Sequence, residues 1–243
     1  GTLTVGKVTN TSGTGNSQRL LIGGVIHSVS AGTISKCYNQ QSATITIKTG
    51  DWTSRYMIGG LFGYIGQTAN ITNQVVTLTE SANYADINIA PAGKIGTAQI
   101  GGLTSEAYAA ATDPLDSVVF DGVHNYGAIN VSGTYTSKGY PRLGGLLGVV
   151  NMAVLEYKNC VNEGAITVNT TNTQQLKIGG IVGCDTNKGT FKITNCENKG
   201  TITNKGVVSS IRMAGILGSD DGANPTIITG TKNTGSIKLE GEQ

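Results

Sequence analysis

An asparagine recurs six times along this chain at intervals of 35 to 44 residues, and a second signature recurs in step with it. The asparagines are Asn39, Asn83, Asn125, Asn162, Asn198 and Asn233, and the last four are followed two positions on by Gly127, Gly164, Gly200 and Gly235. Between them stand Ile22-Gly23-Gly24, Ile58-Gly59-Gly60, Ile100-Gly101-Gly102, Leu143-Gly144-Gly145, Ile178-Gly179-Gly180 and Met213-Ala214-Gly215. Two motifs in phase over the whole length mark stacked supersecondary units, each of which buries its apolar face against its neighbours.

After each asparagine the sequence alternates, with apolar pairs Ile45 and Ile47, Ile87 and Ile89, Ile129 and Val131, Ile166 and Val168, and Ile237 and Leu239. Such alternation belongs to a strand with one buried face. Only Ile202 with Asn204 breaks the pair, and Leu3 with Val5 fits the same places at the start. Five residues before each asparagine lies a second apolar column, Ile34, Leu78, Phe120, Tyr157, Ile193 and Ile228. Two before it lies a third, Cys37, Ser81, Val123, Cys160, Cys196 and Thr231. A spacing of three between inward positions predicts a bulge or bend there. Each repeat thus reads as three short β segments: one ending at the asparagine, one just after it, and one carrying Ile-Gly-Gly. No stretch sustains a 3.6-residue period, while β-branched residues fill the segments between Gly and Asn turn signals, so no helix is expected. Equivalent segments then stack in parallel, about 4.8 Å per coil, along a right-handed path. The expected fold is all-β: a right-handed parallel β-helix, or β-solenoid, of about six coils and on the order of 30 Å long.

In that stack the asparagines form a column at one corner. Asn tolerates the left-handed backbone region and its amide can bond along the column, while the following glycine takes a positive φ at no steric cost. The paired glycines suit close approach between coils. A phosphate cradle would instead need a single copy opening a helix.

The run Ile178-Gly179-Gly180-Ile181-Val182-Gly183, followed by Ile193-Thr194-Asn195-Cys196-Glu197-Asn198-Lys199-Gly200-Thr201-Ile202, resembles the GLUG repeat of bacterial surface proteins and immunoglobulin A peptidases. Asn159-Cys160-Val161-Asn162-Glu163-Gly164-Ala165-Ile166 matches it equally well, and earlier repeats depart from it where Gln41 and Ala85 replace the closing glycine. The resemblance covers nearly the whole chain. It implies a secreted or cell-wall-associated bacterial protein whose repeats act as stalk, spacer or adhesive surface. It brings no catalysis, because those peptidases work through a zinc motif outside the repeats and no His-Glu-x-x-His is present.

The 243 residues read as one repeat domain, 1–243, because stacked repeats grow linearly; the chain opens inside a repeat, as a piece of a longer protein would. A net charge of +2 with Lys and Arg scattered along the sequence leaves no footprint for nucleic acid. No stretch reaches 18 consecutive apolar residues, so no membrane span is expected. Low charge and abundant Thr, Asn, Gly and Ser fit an extracellular protein of the bacterial cell surface. Cys37, Cys160 and Cys196 share one repeat position and read as small buried hydrophobes, with a Cys160–Cys196 bridge between adjacent coils within geometric reach. No Cys-x-x-Cys occurs and His27 and His124 lack ligand-like neighbours, so neither metal nor cofactor is expected.

Two function classes stay open. In the first the chain is a non-enzymatic, adhesin-like module that binds a glycan or a host surface protein. Its candidate ligand-binding residues are Trp52, Tyr56, Tyr108, Tyr135 and Tyr140, rings outside the inward columns that could stack on sugars or anchor a partner. In the second it is a β-helix polysaccharide lyase or glycoside hydrolase whose acids cluster in the irregular third repeat, at Glu106, Asp113, Asp116 and Asp121. A carboxylate pair about 5 to 10 Å apart runs glycoside hydrolysis, whereas solvated loop charges run nothing. Asp220-Asp221-Gly222-Ala223-Asn224 offers oxygen donors but lacks the spacing of a calcium loop, and reads as a turn. A threonine ice-binding ladder fails on Asn88, Ala128, Asn130 and Lys238. Finally, stacked repeats need covered ends, so residues 1 to 5 and 226 to 239 are expected to meet neighbouring domains of the parent chain or pair end to end with another copy.

Overall fold

The computed structural model describes residues 2–5, 19–48, 52–66, 75–91, 93–108, 117–135, 140–151, 154–171, 174–186 and 189–241. Among these every regular element is a strand and every strand pairing is parallel. One full repeat shows the plan. An Ile-Gly strand, Arg142–Gly144, is followed after the glycine pair by a return strand, Leu147–Asn151, then a side strand, Val154–Lys158, a two-residue corner strand, Val161–Asn162, and an exit strand, Ile166–Thr171. The three expected segments are therefore five strands, because two of them bend. The glycine pair splits the Ile-Gly segment, and a left-handed residue splits the segment that ends at the asparagine.

That left-handed residue lies three positions before each asparagine: Lys36, Glu80, Gly122, Asn159, Asn195 and Gly230 all have φ between 46° and 62°. It carries the chain from the side strand to the corner and accounts for the spacing of three between the flanking inward columns. The next residue locks the bend. Ser81 Oγ, Cys160 Sγ, Cys196 Sγ and Thr231 Oγ1 each donate to the carbonyl two residues back, at 2.7, 2.9, 3.4 and 3.2 Å. Ser, Thr and Cys interchange here because each supplies a donor of similar size; the thiols act as more than small hydrophobes. All four cysteines are free thiols.

Each strand pairs in register with its equivalent one repeat away. Leu3, Ile45, Ile87, Ile129, Ile166, Ile202 and Ile237 are consecutive partners in the exit sheet. Ile34, Leu78, Phe120, Tyr157, Ile193 and Ile228 are consecutive partners in the six-stranded side sheet. From these columns two cores form. The side and return strands enclose one around Phe120, Tyr157 and Phe191, and the exit and Ile-Gly strands enclose the other around the isoleucine columns. At 202–204 the exit column is broken by Asn204. Its amide donates to Gly206 O at 3.0 Å, repeating at a second place the Asn-x-Gly turn of the corner.

The corner joins the two sequence signatures into one contact. Asn83, Asn125, Asn162 and Asn198 are fully buried, and each Nδ2 donates to the Oδ1 of the next asparagine at 2.7 to 2.8 Å. The same nitrogens also reach the carbonyl two residues on, at Ala85, Gly127, Gly164 and Gly200. The second glycine of each pair lies under this amide: a Cβ on Gly145 would stand 2.0 Å from Gly180 O and 2.3 Å from Asn162 Cγ. The glycine after the asparagine is likewise there for proximity. Gly164 is not in the left-handed region, and its Cβ would stand 2.0 Å from Gly127 O. Neither the corner asparagines nor their glycines take a positive φ, a correction to the turn chemistry expected from the sequence.

Candidate functional site

Residues on either side of the buried asparagine point outward, so the corner presents two parallel columns to solvent. One runs Tyr38, Ala82, His124, Val161, Glu197 and Lys232, of which Ala82 alone is buried. The other runs Tyr84, Tyr126, Glu163, Lys199 and Thr234; the amide N–H of the last four donates to the backbone carbonyl of the asparagine one repeat before, and that of Tyr84 to the side-chain Oδ1 of Asn39. The early repeats place aromatic rings in both. Tyr84 and Tyr126 stack with centroids 4.7 Å apart and planes 7° from parallel. His124 lies 5.6 Å from Tyr126, and Tyr126 Oη and His124 Nδ1 are 3.2 Å apart. Tyr126 is 39% and Tyr38 53% exposed. Burial holds the His124 imidazole below the ordinary histidine range, against the pull of Glu163. In later repeats the same columns carry ion pairs, Lys199 to Glu163 at 3.1 Å and Lys232 to Glu197 at 3.4 Å.

A polar row occupies a second place, between the outer face of the Ile-Gly strands and the return strands. Arg19 and Arg55 are in register, and Gln99, Arg142, Lys177 and Arg212 are consecutive partners two residues before the first glycine position. Opposite them the return strands offer Tyr64 and the partners Glu106, Val149 and Cys184. Arg55 Nη1 lies 3.7 Å from Glu106 Oε2, and Gln99 hydrogen-bonds the same carboxyl. Burial pushes the Glu106 carboxyl up, while Arg55, Arg19 and Arg142 pull it down. Lys177 Nζ pairs with Asp221 and lies 3.6 Å from Cys184 Sγ. Arg212 Nη1 reaches Asp221 Oδ1 at 2.7 Å and Ser219 Oγ at 2.6 Å. Burial of Asp221 opposes ionisation, yet Lys177, Ser219 and Arg212 hold its pKa at about 2.

No protein-family model, no curated protein and no solved structure matches this chain.

Of the five candidate aromatic residues, two belong to the interior. Tyr56 is buried because it precedes Ile58 by two and shares its face, packing between Leu20 and Ala98 in the isoleucine core. Tyr135 is buried because its exit strand is long enough to pair with Ile95, carrying the ring into the same core. Tyr108 is half-buried, its ring 6.3 Å from Tyr64 at the margin of the polar row. Tyr140 is 37% exposed, two residues ahead of Arg142. The Trp52 side chain, Asp113 and Asp116 lie outside the described residues. Glu106 faces the polar row, whereas Asp121 ends a side strand and accepts from Asn159 Nδ2 at 2.8 Å. The core between the side and return strands separates the two acids, so they do not face a common substrate. Asp221 is held by its cations and Asp220 Oδ1 accepts from Gly222 N at 3.2 Å, which gives the 220–224 segment the character of a turn.

Sequence reasoning passed over Tyr38 and left Tyr84, His124 and Tyr126 unassembled. The available signal was parity: neighbours of an inward-pointing corner residue point out. It also read Lys and Arg as scattered, which holds along the chain but not across it, since pairing brings residues about a repeat apart side by side.

Proposed function

We propose that this chain is a right-handed parallel β-solenoid of about six coils that serves as a non-catalytic binding module on the bacterial cell surface, taking a glycan on its aromatic corner. In-register parallel pairing at five strand positions per repeat supports the solenoid, and right-handed crossing is the strong preference for parallel connections. The resemblance to GLUG repeats and the Thr-, Asn- and Gly-rich composition support an extracellular setting. The stacked Tyr84 and Tyr126 rings carry the ligand reading. Parallel rings stacked on adjacent coils, flanked by Tyr38 and His124, form an exposed aromatic strip with hydroxyl and imidazole groups at its edge. Sugar rings present C–H faces to such a strip and hydroxyls to its margin. A host surface glycoprotein would be engaged through the same strip.

A glycan array followed by titration of the best neutral oligosaccharide tests this. Tyr84→Ala and Tyr126→Ala should each weaken binding roughly ten-fold, with unchanged thermal midpoints because neither ring belongs to a core. An array without a hit, or a hit indifferent to both substitutions, overturns the reading.

A further inference from the structure

The polar row between the Ile-Gly and return strands is a second surface, independent of the aromatic corner. Five of the six repeats contribute a cation to it: Arg19, Arg55, Arg142, Lys177 and Arg212. Among the described residues, two carboxylates, Glu106 and Asp221, pair with them. The excess is large for a chain whose net charge is +2. The inner members are enclosed, but the rim is open: Arg19 is exposed, and the Arg55 and Arg212 side chains keep 28% and 48% of their surface.

Two atoms in the middle of the row lack any protein partner. Arg142 Nε and Gln99 Oε1 are buried and unpaired, although their residues are in register on adjacent repeats. One is a donor without an acceptor, the other an acceptor without a donor, and the Gln99 residue is 1% exposed. Buried polar groups are ordinarily satisfied, so a pair of opposite kind side by side describes the ligand they lack. It carries an anion for the guanidinium and a hydroxyl for the amide oxygen. The planar guanidinium fork selects carboxylate or sulfate groups over a bare point charge. Arg142, Lys177 and Arg212 stand on successive strands about 4.8 Å apart, a distance comparable with one sugar unit in an extended chain, and Arg19 and Arg55 lie beyond the Gln99 strand, two residues further from the glycine pair.

We propose that this row binds a linear acidic polysaccharide lying along the stack, with one acidic sugar placed at Arg142 and Gln99. Polyphosphate supplies the anion but no hydroxyl, and neutral glycans supply hydroxyls but no anion. Tyr108, whose ring lies 6.3 Å from that of Tyr64, flanks the row and adds ring surface for the sugars.

Titration of the intact chain with polygalacturonate, dextran sulfate, polyphosphate and neutral dextran tests the proposal. The two acidic polysaccharides should bind, with affinity falling steeply as salt rises, and polyphosphate and dextran should bind at least ten-fold more weakly. Arg142→Gln should cost ten-fold or more, and Arg142→Lys should not rescue it. Tyr84→Ala should leave this binding unchanged, which separates it from the corner site. If Arg142→Gln lowers the thermal midpoint, the rim double substitution Arg19→Gln with Arg55→Gln replaces it, with the same loss expected. Absence of binding at low salt, binding of polyphosphate as tight as that of the polysaccharides, or acidic-polysaccharide binding indifferent to these substitutions overturns the proposal.

Discussion

At Gly145 a single methyl group would stand 2.0 Å from one carbonyl oxygen and 2.3 Å from the amide carbon of Asn162. The first glycine of the pair is replaced by Ala214 in the sixth repeat, but the second is glycine in all six copies. The invariant one lies beneath the asparagine ladder. Gly145→Ala should therefore destabilise the fold by at least about 1–3 kcal/mol through overpacking. By contrast, Gly122→Asn should change stability by only a few tenths of a kcal/mol, because Asn tolerates the left-handed region and Asn159 and Asn195 already hold the equivalent place. Denaturant midpoints of the two variants check the contrast, and equal losses would show that close approach is not what the second glycine provides. Both asparagine and glycine were legible as corner residues. Their conformation was not, because Asn-x-Gly is the sequence of a positive-φ turn and of a tight extended corner alike.

A column of isoleucines stacked one on another gives each exit strand the same energetic role. Ile166 is fully buried between Ile129 and Ile202, so Ile166→Ala should cost roughly 2–5 kcal/mol through lost contacts and a cavity. The unfolding free energy by urea titration measures it, and a loss below 1 kcal/mol would mean the neighbouring repeats close over the gap. The inward columns were readable from two-residue alternation, and the interval of three announced the bend. The division into five strands was hidden, since Ile-Gly-Gly-Leu reads as one continuous strand until the glycine pair is seen to fold it over. The same parity that placed Ile58 inside also places Tyr56 inside. Treating the residues before the glycines as a connection, when they extend the strand, is what left that ring among the binding candidates.

Along the whole molecule, the strands of the sixth repeat present an edge that no described residue pairs. Thr226–Thr229 and Ile237–Leu239 are the outermost strands of their sheets, and Ile227, Ile228, Ile237 and Leu239 are exposed on them. An unpaired parallel edge with apolar side chains favours strand addition. Sedimentation of these 243 residues at rising concentration should show growing end-to-end species, and a strictly monomeric distribution would count against it. The repeat number and register were legible because each column is written in the sequence at a recurring offset from the asparagine. The polar row was not, since its cations stand at intervals that carry meaning only once the repeats pair.

The asparagine ladder runs one way. At every rung the earlier asparagine gives the proton and the later one receives it, from Asn39 through Asn233. The stack is consequently a polar object, with unlike ends in the sense that a filament has a plus and a minus end. Two copies can continue the ladder only head to tail, and such a joint, repeated, propagates rather than closes.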